Sequence, residues 1–240
     1  MHRRELGLGY ALLNAAREGI DRLLEPLDRV LLGVEGRRAV LGPAHRRFRG
    51  QTALDNRELW SAYDWSGGGL EWGPAESRDA LVEEYLPAEH ETIVEIGPGA
   101  GRFSGVLAER AERLVLVDVT DEALQRCRER LNGRAGVEYV RTDGASLPGV
   151  GAESVDVVWS FEAFVHMLPV DVAAYVGEIA RVLRPGGRAV IQHAGRFDRS
   201  GWRAPMSAGL FARLARERGL EVESQKTWGT YRDVISVLLR

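Results

Sequence analysis

Short apolar segments alternate with amphipathic segments along the chain from about residue 78 to its end. Some of them, such as the Leu-Val-Leu-Val at 114–117, are apolar on both faces, which is typical of parallel strands covered by helices on each side. The segments between them carry apolar residues at helical spacing. This alternation predicts a doubly wound α/β domain over residues 78–240.

The positions of the expected elements follow from these two periodicities. The predicted helices cover residues 78–86, 102–111, 121–132, 170–183 and 205–218. The predicted strands cover residues 92–96, 113–118, 136–140, 154–160, 187–193, 220–227 and 231–239. The last two strands are close enough along the chain to pair antiparallel to each other.

The first 50 residues differ from the rest in charge and in pattern. They contain ten arginines and six acidic residues, and apolar positions at helical spacing indicate an amphipathic helix interrupted near Pro26: Ile20, Leu23, Leu24, Leu27 and Leu31. We interpret residues 1–50 as a helical arm that packs on the domain or on a second subunit, which would make a homodimer. Docking on a membrane surface, or contact with an acidic substrate or RNA, are the alternatives.

Residues 51–77 combine aromatic side chains with glycines, among them Trp60, Trp65 and the glycines at 67–69. A glycine hinge between aromatic anchors suits a mobile lid over a ligand pocket. We therefore expect this segment to close over a ligand and Trp65 to contact a substrate. The same aromatic side chains could equally pack against the sheet.

The amino-acid composition limits the classes of partner that the protein is expected to bind. The net charge is -3 and the isoelectric point is near 6.0, so no overall field attracts DNA or a membrane. The single cysteine, Cys127, excludes a disulfide within the chain and a cysteine metal cluster, and we expect no metal. Residues 2–16 loosely resemble a signal peptide, but Glu5 and Asn14 dilute the apolar stretch. We expect a cytoplasmic protein without stable membrane insertion.

A glycine-rich turn follows the first predicted strand. Residues 93–103 read Ile-Val-Glu-Ile-Gly-Pro-Gly-Ala-Gly-Arg-Phe, in which Gly97, Gly99 and Gly101 are evenly spaced and Glu95 precedes them. Glycine lets a backbone turn sharply and approach a ligand closely. A strand, such a turn and a helix form the nucleotide-binding corner of a Rossmann-like sheet.

Two further acidic residues follow the next two strands. Asp118 closes the second strand, where a carboxylate can accept both hydroxyls of a ribose. Asp143 follows the third strand and can accept a hydrogen bond from the amine of an adenine. Because ligands of such sheets lie across the carboxyl ends of the strands, we expect Glu95, Asp118 and Asp143 to converge with the glycine turn.

This constellation resembles the class I S-adenosylmethionine-dependent methyltransferases. The Glu-x-Gly-x-Gly-x-Gly of residues 95–101 resembles their first motif, Val-Asp at 117–118 their second, and Thr-Asp-Gly at 142–144 their third. The Leu-Arg-Pro-Gly-Gly at 183–187 resembles the turn before their fifth strand. The resemblance implies a Rossmann-like seven-stranded sheet with an antiparallel last strand, S-adenosylmethionine as cofactor, and Ser160 and Phe161 as additional cofactor-binding residues.

An NAD-binding sheet is the competing interpretation of the same turn. Its third glycine would come one residue later, in a turn that seats a pyrophosphate. S-adenosylmethionine has no phosphate and carries a sulfonium and an ammonium group, which suit an acidic strand end and an open glycine turn.

The family resemblance places the acceptor beyond the fourth strand. His166 is the best candidate for a general base, because imidazole titrates near neutral pH, and Glu162 is the second candidate. His166 could instead cap or pack the helix that begins near Pro169. His193, at the end of the fifth strand, is expected to contact the substrate.

The absence of two sequence patterns limits the chemical class of the methyl acceptor. The fourth strand ends in Ser-Phe-Glu-Ala, without the Asn/Asp-Pro-Pro-Tyr turn that holds planar amines, and one cysteine is too few for arsenic methylation. We expect transfer to a small molecule, at oxygen in preference to nitrogen. RNA or protein methylation, for which the basic arm is the support, and a non-catalytic regulatory protein that binds S-adenosylmethionine are the alternatives.

Overall fold

The computed structural model describes residues 56–57, 60–62, 75–88, 90–195, 203–229 and 231–240. The predicted arm at 1–50 lies outside the described residues, as does most of segment 51–77, including Trp65. The helices are α1 (Ala75–Tyr85), α2 (Ser104–Glu109), α3 (Asp121–Leu131), α4 (Pro169–Val182) and α5 (Ala208–Glu217). The strands are β1 (His90–Ile96), β2 (Ala111–Asp118), β3 (Val137–Arg141), β4 (Val155–Ser160), β5 (Leu183–His193), β6 (Glu221–Trp228) and β7 (Asp233–Leu239).

The seven strands form one sheet in the order β3-β2-β1-β4-β5-β7-β6. Strands β1 to β5 are parallel, and β7 runs antiparallel between β5 and β6. The seven-stranded doubly wound fold with an antiparallel last strand is therefore confirmed. The strand order reverses between β1 and β4, and a crevice forms at the carboxyl ends of the strands at such a switch point.

The central strands are apolar on both faces because helices cover both sides of the sheet. All six residues of β4 and the last five of β1 and of β2 are buried. Helix α2 contributes Val106 and Leu107 to the core, and α3 contributes Leu124. The outer strand β6 is largely exposed and polar, as suits a sheet edge. Among the described helices, none combines the length and the apolar character needed to cross a bilayer.

Two local features differ from the predicted elements. Strand β5 begins at Leu183, four residues before the prediction, and its pairing with β4 shifts between Val155 and Val157. The Arg-Pro-Gly-Gly segment therefore bulges within the strand instead of preceding it. A Cβ at Gly187 would lie 3.0 Å from the Val155 carbonyl oxygen, so a side chain there would crowd the backbone of β4. Between β4 and α4 the chain forms a short 3₁₀ helix, Phe164–His166, which the pattern did not predict.

Candidate active site

An open cleft lies at the carboxyl ends of β1, β2 and β4. Seven of the residues singled out by sequence line it: Glu95, Gly97, Gly99, Asp118, Phe161, Glu162 and His166. Four others do not line it: Gly101, Asp143, Ser160 and His193. The cleft is at the switch point of the sheet, where the strand order predicts a ligand.

The glycine turn has a left-handed backbone at each of its glycines, with φ of 70° at Gly97, 55° at Gly99 and 77° at Gly101. A Cβ on Gly97 would lie 2.5 Å from the Ala163 Cβ. Gly101 packs away from the cleft, where a Cβ would meet the Cys127 Sγ at 3.3 Å. Glycine is thus required by backbone conformation throughout the turn and by close packing at Gly97.

The backbone N–H groups of the three glycines all donate within the protein. Gly97 donates to the Val117 carbonyl oxygen at 2.8 Å and Gly101 to that of Pro98 at 2.9 Å. The Gly99 N–H points at the Asp118 carboxylate, 3.4 Å away. A pyrophosphate cradle needs such N–H groups directed at the ligand. The turn therefore fits a cofactor without phosphates better than it fits NAD.

Glu95 is buried at the end of β1, and its carboxyl accepts a hydrogen bond from the Ser104 Oγ at 2.6 Å. Burial raises the pKa of Glu95 to about 8; the Ser104 hydrogen bond opposes the shift, and the nearby Asp118 adds to it. A carboxyl in this state can hold a proton near neutral pH and release it when a cation approaches.

Asp118 is buried at the end of β2 and accepts hydrogen bonds from the Thr120 N–H at 2.9 Å and Oγ1 at 3.1 Å. Burial raises its pKa to about 6, and the hydrogen bonds from Thr120 and Gly99 limit the rise. Because one carboxylate contacts both the turn and the start of α3, it fixes the spacing between them.

Asp143 is turned back on its own loop. Its Oδ1 accepts hydrogen bonds from the Ala145 N–H at 3.0 Å and the Ser146 Oγ at 2.8 Å. Burial acts to raise the pKa of Asp143, but these hydrogen bonds outweigh it and lower the pKa overall. The neighbouring Gly144, not Asp143, lines the cleft.

Ser160 and Phe161, at the end of β4, make different kinds of contact. The Ser160 Oγ donates to the Ile96 carbonyl oxygen at 2.7 Å and so ties β4 to β1 inside the sheet. Phe161 lines the cleft and packs on Phe103, with ring centroids 4.9 Å apart. The structure brings Phe161 to the site and leaves Ser160 beneath it.

Glu162 and His166 lie together on the wall formed by the loop after β4. Glu162 forms an ion pair with Arg203 at 3.3 Å. The His166 ring packs edge-on against Trp60, with centroids 5.2 Å apart, and the His166 carbonyl oxygen accepts a hydrogen bond from the Asn56 Nδ2 at 3.4 Å. The described part of segment 51–77 therefore contacts the candidate base.

His193 lies in the core and does not reach the cleft. Its Nε2 is 2.8 Å from the Ser236 Oγ, its Nδ1 is 2.9 Å from the Ala194 carbonyl oxygen, and its ring stacks on Phe211 at 3.9 Å. Burial lowers its pKa to about 4, so the ring stays neutral near pH 7. These contacts make His193 a packing residue in this structure, unlike the substrate contact expected from its place at a strand end.

Comparisons with known proteins agree with this geometry. A family described as "Methyltransferase domain" matches residues 94–191. Nodulation protein S of Rhizobium tropici is 27% identical over 177 residues, which are 73% of this chain and 74% of that protein. Demethylmenaquinone methyltransferase of Clavibacter sepedonicus is 33% identical over 143 residues, 59% of this chain and 57% of that protein. The chain thus spans little more than half the length of the second relative.

A solved structure shows the same fold. The N-methyltransferase NodS from Bradyrhizobium japonicum WM9, in complex with S-adenosyl-L-homocysteine, superposes with a TM-score of 0.62 at 22% identity, over 78% of this chain and 98% of that one. Residues 94–191 thus form a methyltransferase domain of the class I S-adenosylmethionine-dependent type. Its cofactor is S-adenosylmethionine.

The methyltransferase cleft also has lining residues that the sequence did not reveal. Asp171 and Tyr175 project from α4 one helical turn apart, and both are buried. Their spacing of four residues places them on one face of the helix, a signal that could have been recognised. Ser104, which bonds to Glu95, had no comparable signal in the sequence. No metal-binding group of His, Cys, Asp and Glu occurs among the described residues.

Proposed function

We propose that this methyltransferase acts on a small-molecule acceptor, and at a hydroxyl oxygen in preference to other atoms. The observation that carries the proposal is the composition of the cleft: buried carboxyls and a glycine turn form one wall, and a half-buried imidazole with an aromatic neighbour forms the other. A cleft with these two walls can align a donor and an acceptor and exclude water between them.

The wall formed by β1 and β2 is assigned to the cofactor. When bound, S-adenosylmethionine supplies an electrophilic methyl group on its sulfonium. Gly97 and Gly99 leave the turn open for its methionyl arm, and Glu95 lies beneath that turn as a carboxyl that becomes anionic when it faces an ammonium group. Asp118 is assigned to the ribose hydroxyls. Gly101, Asp143 and Ser160 support this wall through the protein contacts already described.

The loop after β4 is assigned to the acceptor. His166 would take the proton of the acceptor hydroxyl on a ring nitrogen as the oxygen becomes nucleophilic. Phe161 and Trp60 provide apolar surface beside it. Both Glu162 oxygens already accept hydrogen bonds from protein groups, so we assign it to orienting the acceptor. Nitrogen is the second candidate atom, because a structural neighbour is named an N-methyltransferase.

We further propose that residues 78–240 form the cofactor-binding domain and that segment 51–77 completes the cleft. Asn56 and Trp60, which belong to that segment, already line it. Trp65 is proposed to face the acceptor from the same segment. We propose that the reaction takes place in the cytoplasm.

A labelling screen tests the proposed function. Metabolite extracts are incubated with the full chain and with cofactor labelled on the methyl group, and the labelled compounds are separated and identified. We expect one class of small molecule to gain label with the wild-type protein and not with Asp118→Ala. Label found only in RNA or protein would contradict the proposal. Loss of transfer as salt rises would then indicate phosphate contacts and favour RNA.

A further inference from the structure

A buried polar cluster lies directly behind the acceptor wall. It joins Glu162, Gln192, Arg203 and Asp233, which come from four separate parts of the chain. Gln192 is 0% exposed, Asp233 3% and Arg203 5%. The hydrogen bonds and ion pairs of the cluster join these four residues to one another, and buried charged groups must be well paired to be tolerated. The question is what the cluster holds in place.

Its first effect is on the backbone of Glu162. That residue has φ of 61°, in the left-handed region that residues with a Cβ rarely adopt. Gln192 holds it from two sides: its Oε1 accepts a hydrogen bond from the Glu162 N–H at 2.6 Å, and its Nε2 donates to the Glu162 Oε1 at 3.2 Å. One buried side chain therefore fixes both the backbone and the carboxylate of Glu162.

The second effect comes from Arg203, whose planar guanidinium bridges two carboxylates. Its Nε donates to both oxygens of Asp233 at 3.1 Å, and its Nη2 lies 3.0 Å from Asp233 and 3.3 Å from the Glu162 Oε2. Asp233 also accepts from Gln192 at 3.0 Å. Tyr231 covers the guanidinium, with its ring centroid 4.5 Å away. Asp233 thus anchors both groups that hold Glu162.

The same segment holds the loop at a second point. The N–H of Ala204, next to Arg203, donates to the Val165 carbonyl oxygen at 2.7 Å. Val165 belongs to the 3₁₀ helix that ends at His166. The loop is therefore fixed at Glu162 by side chains and at Val165 by the backbone, and His166 follows at once.

We propose that Arg203 and Asp233 are positioning residues of this methyltransferase, which hold the loop after β4 so that Glu162 and His166 face the acceptor. The part of this proposal that concerns the acceptor rests on the proposed function. Arg203 acts through Glu162 and touches neither the cofactor wall nor the acceptor. Glu162 is presented in a fixed orientation as a hydrogen-bond acceptor, which leaves proton removal to His166.

Arg203→Lys separates the two bonds of the arginine. A lysine has a single nitrogen where the arginine uses Nε and Nη2, so it cannot reproduce both the Nε bonds to Asp233 and the Nη2 bond to Glu162. The matched control is Arg126→Lys, because Arg126 forms an exposed pair with Glu129 on α3, far from the loop in sequence. The readout is the nuclear magnetic resonance titration of the His166 imidazole, assigned by its loss in His166→Gln.

We expect Arg203→Lys to change the proton affinity of His166 by about twofold or more, or to broaden its signal, since one pKa unit corresponds to about tenfold. Binding of S-adenosyl-L-homocysteine should stay within about threefold of wild type, because the bonds of Arg203 go to Asp233 and Glu162 and not to the residues assigned to the cofactor. Arg126→Lys should match wild type in both measurements. With an acceptor in hand, kcat should fall by up to about 100-fold, the size of a small misplacement of reacting groups.

Glu162→Gly is the second variant, and it does not depend on how Arg203→Lys folds. Glycine adopts the left-handed backbone without strain, so the fold is kept while the tie to Arg203 is removed. We expect Glu162→Gly to change the proton affinity of His166, or to broaden its signal, as Arg203→Lys does. Wild-type titration of His166 in folded Glu162→Gly or in folded Arg203→Lys would overturn the positioning role. If no small molecule accepts a methyl group, the proposed function fails, whereas this titration still decides how the loop is held.

Discussion

The two walls of the cleft are built in different ways. On the cofactor wall the main contacts join residues close in the chain: Ser104 with Glu95, nine positions apart, and Gly99 with Asp118, nineteen apart. On the acceptor wall they join residues far apart: Arg203 with Glu162, 41 positions, and Asn56 with His166, 110 positions. The first wall depends on one strand-turn-helix unit and the strand beside it. The second depends on the assembly of the whole sheet.

This difference indicates which amino-acid substitutions each wall can tolerate. A local unit tolerates few substitutions, because its glycines and carboxyls contact one another or close neighbours in the chain. The long-range contacts on the other wall come from several elements of the sheet, so a substitution there leaves the contacts within the glycine turn in place. Such an arrangement favours a constant methyl donor and a variable acceptor. Substitutions on the cofactor wall should therefore change cofactor binding, and substitutions on the acceptor wall should change turnover.

The largest expected effect is that of His166→Ala on turnover. Loss of a general base should lower kcat by about 10²–10⁴-fold, while affinity for the cofactor stays unchanged because the other wall is untouched. The turnover of labelled methyl and calorimetric binding measure the two quantities. His90→Ala, at the amino end of β1, is the matched histidine control and should retain turnover. Full activity of His166→Ala would make this histidine a packing residue.

Gly97→Ala should lower the free energy of unfolding by about 2–4 kcal/mol, because a left-handed backbone and a steric clash add together. The clash is with Ala163, 2.5 Å from the new Cβ. Gly133→Ala isolates the first cost, since Gly133 has φ of 72° and nothing within 4 Å of a Cβ; about 1 kcal/mol is expected. Chemical denaturation measures both. Equal losses would mean that the contact between the walls carries no energy.

Asp118→Ala should weaken binding of S-adenosylmethionine by about 1.5–3 kcal/mol, the range for lost hydrogen bonds to a charged group. Asp143→Ala should weaken it less, by about 0.5–1.5 kcal/mol, because Asp143 already bonds within its own loop. Calorimetry of both variants gives the comparison. Unchanged affinity in Asp118→Ala would remove the ribose assignment, and a larger loss in Asp143→Ala would reverse the order of the two acids.

A further effect concerns the pH dependence of stability. Glu95 has a pKa of about 8 in the fold, above its ordinary 4.5, so the folded protein binds this proton more tightly than the unfolded chain. The stability it contributes is complete below pH 4.5 and is lost as pH rises to about 8. Glu95→Gln should therefore gain more than about 1 kcal/mol over wild type between pH 5 and pH 8, since one pKa unit corresponds to about 1.4 kcal/mol.

Denaturation of the cofactor-free protein at these two pH values measures the effect. Stability curves of wild type and Glu95→Gln that run parallel across this range would show that Glu95 is not the group whose proton is held.

Most of the fold could be predicted from the sequence, because apolar periodicity and burial agree along β1, β2 and β4. The early start of β5 could not, since its bulge depends on carbonyl groups of the neighbouring β4. The 3₁₀ helix before α4 could not either, because the left-handed Glu162 that leads into it is held by residues much later in the chain.

The position of the site could be predicted as far as local contacts determine it. Glu95, Gly97, Gly99 and Asp118 do line one cleft. A strand end alone does not give the direction of a side chain: His193 pairs with Ser236 of β7 in the core, and Asp143 bonds to Ser146. The partner of His193 is 43 positions away, which no spacing in the sequence specifies. The partners of Asp143 follow it two and three positions later, as in an Asx turn, and this local signal was missed.

The contact of Gly97 with Ala163 joins the two walls at a single methyl group. A side chain can occupy that space from one wall or from the other, but not from both. These two small residues therefore allow the glycine turn and the loop after β4 to approach each other closely. An engineer who wishes to admit a bulkier acceptor should leave this pair unchanged and alter Trp60 or Met167, which also line the cleft.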